Sequence, residues 1–136
     1  MIFSGKKTEG DNDVTGGHVT GELTFDQVDI NIGEAFNGSS GIFVVPVSGI
    51  YKMTFSGCSA MQPGGYTYVH VYKNEKTVFK IYDENQAEES TLNNISFTWM
   101  MKVIQGDELQ LKSMHLLYAN PALPLTFTGE LIHSEN

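Results

Sequence analysis

The chain has 136 residues, enough for one compact domain that buries its own core without disulfides or metals. Sixteen acidic side chains against eight basic ones give a formal net charge of −8. That balance repels phosphate backbones and anionic lipid surfaces and excludes a nucleic-acid binder, whose affinity rests on Lys and Arg.

In chain order, the segment from Lys6 to Gly21 is polar and rich in Gly, Asp and Thr, and it reads as a long loop. From there on, short strands alternate with turns. Tyr51, Met53 and Phe55 alternate with Lys52, Thr54 and Ser56, giving one apolar and one polar face. Between Tyr66 and Tyr72, the set Tyr66, Tyr68, His70, Tyr72 alternates with Thr67, Val69 and Val71, so both faces carry bulk. The residues Lys73-Asn74-Glu75-Lys76 predict a hairpin connection into a strand from Thr77 to Tyr82. Ile95, Phe97 and Trp99 share one face of the following strand. Gln105-Gly106-Asp107 is a turn, and Leu109 and Leu111 alternate with polar residues after it. Pro121 and Pro124 mark a loop before a last strand from Thr126 to His133, with Phe127, Gly129 and Leu131 on one side. Helical spacing is sustained nowhere, and β-branched and aromatic residues are dense. The expectation is an all-β chain, a two-sheet sandwich or jelly roll forming a single domain over 1–136.

The chemistry-bearing residues are sparse. Cys58 has no partner within the chain; its neighbours Phe55, Ser56, Gly57 and Ser59 read as the end of a strand, and with no cation near it in sequence it reads as a small buried hydrophobe. His18, His70, His115 and His133 fit no zinc spacing. No nucleophile elbow, phosphate-cradling glycine loop or Cys/His pairing is present, so no enzyme site is expected. Asn37-Gly38-Ser39 and Asn94-Ile95-Ser96 are glycosylation sequons at Asn37 and Asn94. No apolar run reaches membrane-spanning length, and Met1 runs into Ile2-Phe3-Ser4 without a signal-peptide pattern.

The densest information lies from Leu23 to Ser56. Phe25-Asp26-Gln27-Val28 leads to Asn31-Ile32-Gly33-Glu34-Ala35-Phe36-Asn37, then to Gly41-Ile42-Phe43, Pro46 and Gly49-Ile50-Tyr51, with the closing aromatic at Phe55 beyond Met53. Gly33, Gly41 and Gly49 supply backbone freedom at turns, and Phe43, Tyr51, Phe55 and Phe127 have the size to fill the space between two sheets. This stretch resembles the signature of the globular C1q domain. Ile2-Phe3-Ser4, Tyr72-Lys73-Asn74-Glu75, Gly106-Asp107-Glu108-Leu109 and Thr126-Phe127-Thr128-Gly129-Glu130-Leu131 resemble further family motifs in the family's order, so the resemblance covers nearly the whole chain.

The resemblance implies a jelly roll of about ten short strands, related to tumour-necrosis-factor-like ligands, that assembles as a homotrimer. No Gly-X-Y run or heptad pattern is visible, so the globular domain itself would drive assembly, as in stalkless invertebrate members. Tyr66, Tyr68 and Tyr72 are candidates for the trimer interface, with plain core as the alternative. The family works by recognition in the extracellular space. A secreted, innate-immune module binding carbohydrate, microbial surfaces or a protein ligand is therefore expected, with a receptor-binding signalling ligand or a trimerising head of a larger protein as alternatives. No cofactor is required. Some members hold Ca²⁺ near the trimer axis, which maps onto Asp83, Glu84 and Asn93 here; a solvated acidic loop is the competing reading.

Overall fold

The computed structural model describes residues 1–135, and all regular structure in them is β. Eleven strands follow one another: β1 Ile2–Lys7, β2 Gly17–Glu22, β3 Gln27–Ile32, β4 Phe36–Asn37, β5 Ile42–Val44, β6 Gly49–Met61, β7 Tyr66–Lys73, β8 Lys76–Glu84, β9 Thr91–Val103, β10 Glu108–Ala119 and β11 Leu125–Ser134. Antiparallel pairing lays β3, β1, β11, β6 and β9 side by side. A second layer joins β8, β7 and β10, with β5 and β2 on the far edge of β10. Ser59 pairs with Leu117 and Cys58 with Tyr118, so β6 and β10 meet at one end and the two layers close as a folded-over sandwich.

Alternation decides which side chains enter the space between the layers. β6 sends in Tyr51, Met53 and Phe55, all fully buried, and β11 sends in Leu125 and Phe127. Phe3 of β1 stacks on Phe36 at 4.4 Å between ring centroids, and Phe43 meets Tyr51 edge-on at 5.5 Å. Full burial of each such side chain contributes about 1.5–3 kcal/mol of transfer free energy. The Tyr51 hydroxyl, buried with its ring, donates to the Val47 carbonyl at 2.7 Å. Burial of the ring pushes its pKa up.

Two of the signature residues, Asn31 and Asp107, brace turns. Asn31 clamps the bend into β4: its amide nitrogen donates to the Phe36 carbonyl at 2.9 Å and its oxygen accepts from the Phe36 amide. Asp107 accepts from the Asn74 side chain at 2.9 Å and from the Ile104 amide at 3.0 Å, while the Asn74 oxygen accepts from the Glu108 amide. Two turns distant in sequence are thereby tied together. Burial works to raise the Asp107 carboxyl, but these two hydrogen bonds and the charge of Lys73 outweigh it and hold the group below the usual carboxylate range. Gly49 needs no special backbone angle; its side of the chain presses on the His133 carbonyl, which leaves no room for a Cβ.

Three expectations are corrected. The loop expected over Lys6 to Gly21 is shorter, because Lys6 and Lys7 pair with Thr126 and Leu125 and the stretch from Gly17 pairs with β10. The residues between the strands are tied down by the Asp13 carboxylate, which accepts from Thr15, and by Asp11, which accepts from the Thr20 amide. The strands are also longer than the short ones expected: β6 and β9 each run 13 residues and are paired along their whole length. Cys58 lies inside β6 rather than at a strand end, and it is buried as expected.

Thr67 is fully buried on the inner face of β7, and its hydroxyl has no hydrogen-bond partner among the described residues. Valine has the same shape without the stranded donor. Thr67→Val is expected to raise stability by about 1 kcal/mol. Urea unfolding checks this, through a higher midpoint at unchanged slope.

Candidate functional site

The outer face of the β8–β7–β10 layer gathers most of the exposed rings. β7 alternates, with Thr67, Val69 and Val71 buried, so Tyr66, Tyr68, His70 and Tyr72 point outward. The choice between core and interface for these tyrosines is thus resolved against core. Pairing sets Tyr82 of β8 opposite Tyr68, and His115 of β10 packs against both Tyr66 and Tyr68. Ring centroids lie 5.0 Å apart for Tyr68 and Tyr82, 5.5 Å for Tyr66 and Tyr68, and 5.1 Å for Tyr66 and His115. Tyr66 and Tyr82 are each 50% exposed, so this is a solvent-facing aromatic surface. A shallow depression of about 330 Å³ adjoins it, lined in part by Gln62, Gly65, Tyr66, Met114 and His115.

Cations share the face. Lys80 sits 5.2 Å above the Tyr68 ring and Lys112 sits 4.4 Å above that of Tyr72. Partial burial, with Lys80 and His115 adding to it, holds His70 below the usual imidazole range. At the other end the Tyr82 hydroxyl donates to Glu84. That bond pushes the tyrosine up to about 12 and, with a second from Gln86, holds the carboxylate below its ordinary range.

The residues singled out for calcium are placed apart within one protomer. Asp83 and Glu84 are consecutive in β8 and therefore face opposite sides of it. Glu84 is engaged by Tyr82 and Gln86. Asn93 lies on β9 in the other layer, its oxygen accepting from the Thr91 hydroxyl at 2.8 Å. Among the described residues no three His, Cys, Asp or Glu side chains gather in a way that could hold a metal ion. Of the four histidines, only His70 and His115 approach one shared neighbour, Tyr68.

The asparagines of both sequons are exposed. Asn37 occupies the turn between β4 and β5, where its side-chain oxygen accepts from the amides of Ser39 and Ser40. Asn94 sits within β9 and accepts from the Cys58 thiol at 3.5 Å.

A second exposed apolar region lies where β8 and β9 run as the free edges of the two layers. Phe79, Phe97 and Trp99 cluster there with centroids 5.3–6.1 Å apart. Phe97 is 45% exposed, Leu92 and Met100 lie open on the opposite face of β9, and Val78 is exposed on β8. Sequence pattern put Phe97 on the face of Ile95 and Trp99; it shares that face yet stays open, because among the described residues no strand pairs with the free edge of β9.

Comparison with known proteins agrees with this geometry. The C1q domain family model matches residues 6–132. Complement C1q tumor necrosis factor-related protein 3 of Mus musculus is 34% identical over 112 residues, and so is its Homo sapiens counterpart. The match covers 81% of this chain but 44% of each relative, so the chain spans less than half the length of these proteins. The globular domain of zebrafish complement 1qA protein superposes with a TM-score of 0.70 at 16% identity, over 98% of both chains. Murine APRIL superposes with a TM-score of 0.68 at 14% identity, over 96% of this chain and 98% of that one. At such identities these two structures speak for the jelly-roll fold alone.

Proposed function

Since this chain belongs to the C1q domain family, we propose that it is an extracellular recognition module that assembles as a homotrimer and binds glycans or microbial surfaces, in the manner of an innate-immune lectin. The observation that carries this reading is the solvent-facing field of Tyr66, Tyr68, Tyr72, Tyr82 and His115 on one rigid layer. Rings of this kind combine a large apolar face with polar tips at low ordering cost, the combination that recognition surfaces favour. Three copies in one assembly would bind a repetitive surface with avidity.

The half-exposed Phe97 ring, seated on the partly buried Phe79 and the buried Trp99, supports the trimer. A contiguous apolar patch at a sheet edge calls for cover, and a second copy of the chain supplies it. The tyrosines point from the outer side of the β8–β7–β10 layer, whereas Phe79 of β8 points inward, and in this reading their face stays free for a ligand. Calcium enters this reading only through the assembly, with Asp83, Glu84 and Asn93 contributed by several protomers.

A glycan and lipopolysaccharide binding screen, run with calcium and with chelator, tests the proposal. Binding that survives chelation places recognition on the ring face; silence in both arms counts against it. A second reading, a ligand for a cell-surface receptor, is favoured by the tumor-necrosis-factor-related proteins among the relatives. Nanomolar binding to one receptor protein, with no response to glycans, would select it.

A further inference from the structure

The pairing register builds a row of charges across the outer layer. Lys80 of β8 stands directly opposite His70 of β7, His70 opposite Lys112 of β10, and Lys112 opposite Glu22 of β2. Like charges set side by side on neighbouring strands weaken a sheet. Here two lysines bracket a histidine on a chain whose net charge is −8 and which contains only eight basic residues, all of them lysine. Glu22 reaches Lys112 at 3.6 Å through an exposed ion pair. Among the described residues no carboxylate stands within ion-pair distance of Lys80.

The two ammonium groups are held in position. Lys80 lies over Tyr68 and Lys112 over Tyr72, and these two rings flank His70 along β7 at 6.4 and 6.2 Å. The Thr77 hydroxyl meets His70 Nδ1 at 3.4 Å, which leaves Nε2 as the ring nitrogen for a ligand. An anion above His70 would be met from both sides by cations already ordered on aromatic faces. Such charge-assisted contacts are the strong ones, and little side-chain freedom remains to be lost in making them.

From His70, β7 leads past Tyr68 to Tyr66 and the depression beside His115, about 13 Å at the rise of a strand. That distance accommodates two or three sugar rings, whose C–H faces would meet the aromatic side chains. We infer that the Lys80–His70–Lys112 row is the binding site for an acidic substituent, sulfate or carboxylate, on a glycan whose sugar rings lie along Tyr68, Tyr66 and His115; this rests on the glycan-recognition reading above.

A dependence on pH follows. The groups facing His70 are Lys80 and Thr77 on β8, Tyr68 and Tyr72 on β7, and Lys112 and His115 on β10, with Glu22 of β2 behind Lys112. In the free protein partial burial and the charges of Lys80 and His115 disfavour the His70 imidazolium. A bound anion favours the imidazolium, so the complex takes up a proton and affinity rises as pH falls.

Calorimetry on the full chain with lactose, sulfated lactose and lactose bearing a terminal sugar carboxylic acid tests the site. The acidic sugars are expected to bind more tightly than lactose, and Lys80→Met to weaken them about tenfold more than it changes lactose. His70→Gln is expected to remove the pH dependence, and His115→Gln to keep it. Thermal unfolding of each variant confirms that the fold is intact. Comparing the two acidic sugars identifies which acid the row accepts. Equal binding of neutral and acidic sugars, unmoved by Lys80→Met, overturns the inference and leaves the recognition reading standing. Binding of a phosphopeptide as tight as that of the acidic sugars overturns the glycan assignment of the row. If none of the three sugars binds, the recognition reading fails and the inference with it.

Discussion

Gly41→Ala is expected to cost more stability than almost any other addition of a single methyl group. Gly41 closes the turn between β4 and β5, with its amide donating to the Asn37 carbonyl at 2.7 Å and its φ at 74°. An L-residue resists that left-handed angle by about 1–2 kcal/mol. A Cβ there would also be driven into the Leu23 carbonyl oxygen, which is backbone and cannot rotate aside. Leu23 is itself fully buried, and its amide donates to the Leu111 carbonyl at 3.0 Å, so a shift would pull on β10. The combined loss is about 3–4 kcal/mol or more, a large part of the 5–15 kcal/mol typical of a whole domain. Gly21→Ala is the control. Gly21 has a similar φ of 79°, but open space where its Cβ would stand. Its loss is expected to stay near the conformational cost of about 1–2 kcal/mol. Denaturant midpoints of the two variants separate angle from collision, and equal losses would contradict this account.

Phe127→Ala is expected to cost about 3–5 kcal/mol, the range for emptying a large aromatic site. Phe127 is 1% exposed on β11 and meets three rings: Phe3 at 5.1 Å, Phe36 at 5.8 Å and Phe25 at 6.0 Å. These come from β1, β4 and the turn before β3, so one truncation loosens three separate segments. Sheet pairing fixes the backbones of Phe3 and Phe36, and the Phe25 amide donates to the Gly38 carbonyl at 2.8 Å, so none collapses readily into the space. Urea unfolding measures the loss. Phe97→Ala should cost the isolated protomer little, because that ring is already open to solvent. A comparable loss for the two residues would deny Phe127 its place at the centre of the core.

Much of this was legible before any coordinates. The alternation of Tyr51, Met53 and Phe55 fixes the inner face of β6, and the Lys73–Lys76 turn lies where expected, with Asn74 and Glu75 both at positive φ. The sheet around β2 was hidden because its one strong marker, the fully buried Val19, is surrounded by glycine and polar residues. Local preference there favours a loop, and pairing with β10 overrides it. The tyrosines of β7 could not be assigned to a side because Val69 and Val71 offer an equally apolar alternative; only the neighbouring strands decide. The Lys80–His70–Lys112 row was invisible for a related reason. Its members are far apart in sequence, and only the register of three strands aligns them. Asp83 and Glu84, adjacent in sequence, are separated by that same alternation.

Sedimentation equilibrium of the purified chain, alone and as Phe97→Glu, bears most directly on the trimeric assembly. A mass near three times the 15.0 kDa of one protomer, falling toward a single protomer when a charge is placed on the exposed edge, is the predicted result. A mass of one protomer for the unaltered chain, at the concentrations where ligand is bound, would contradict it.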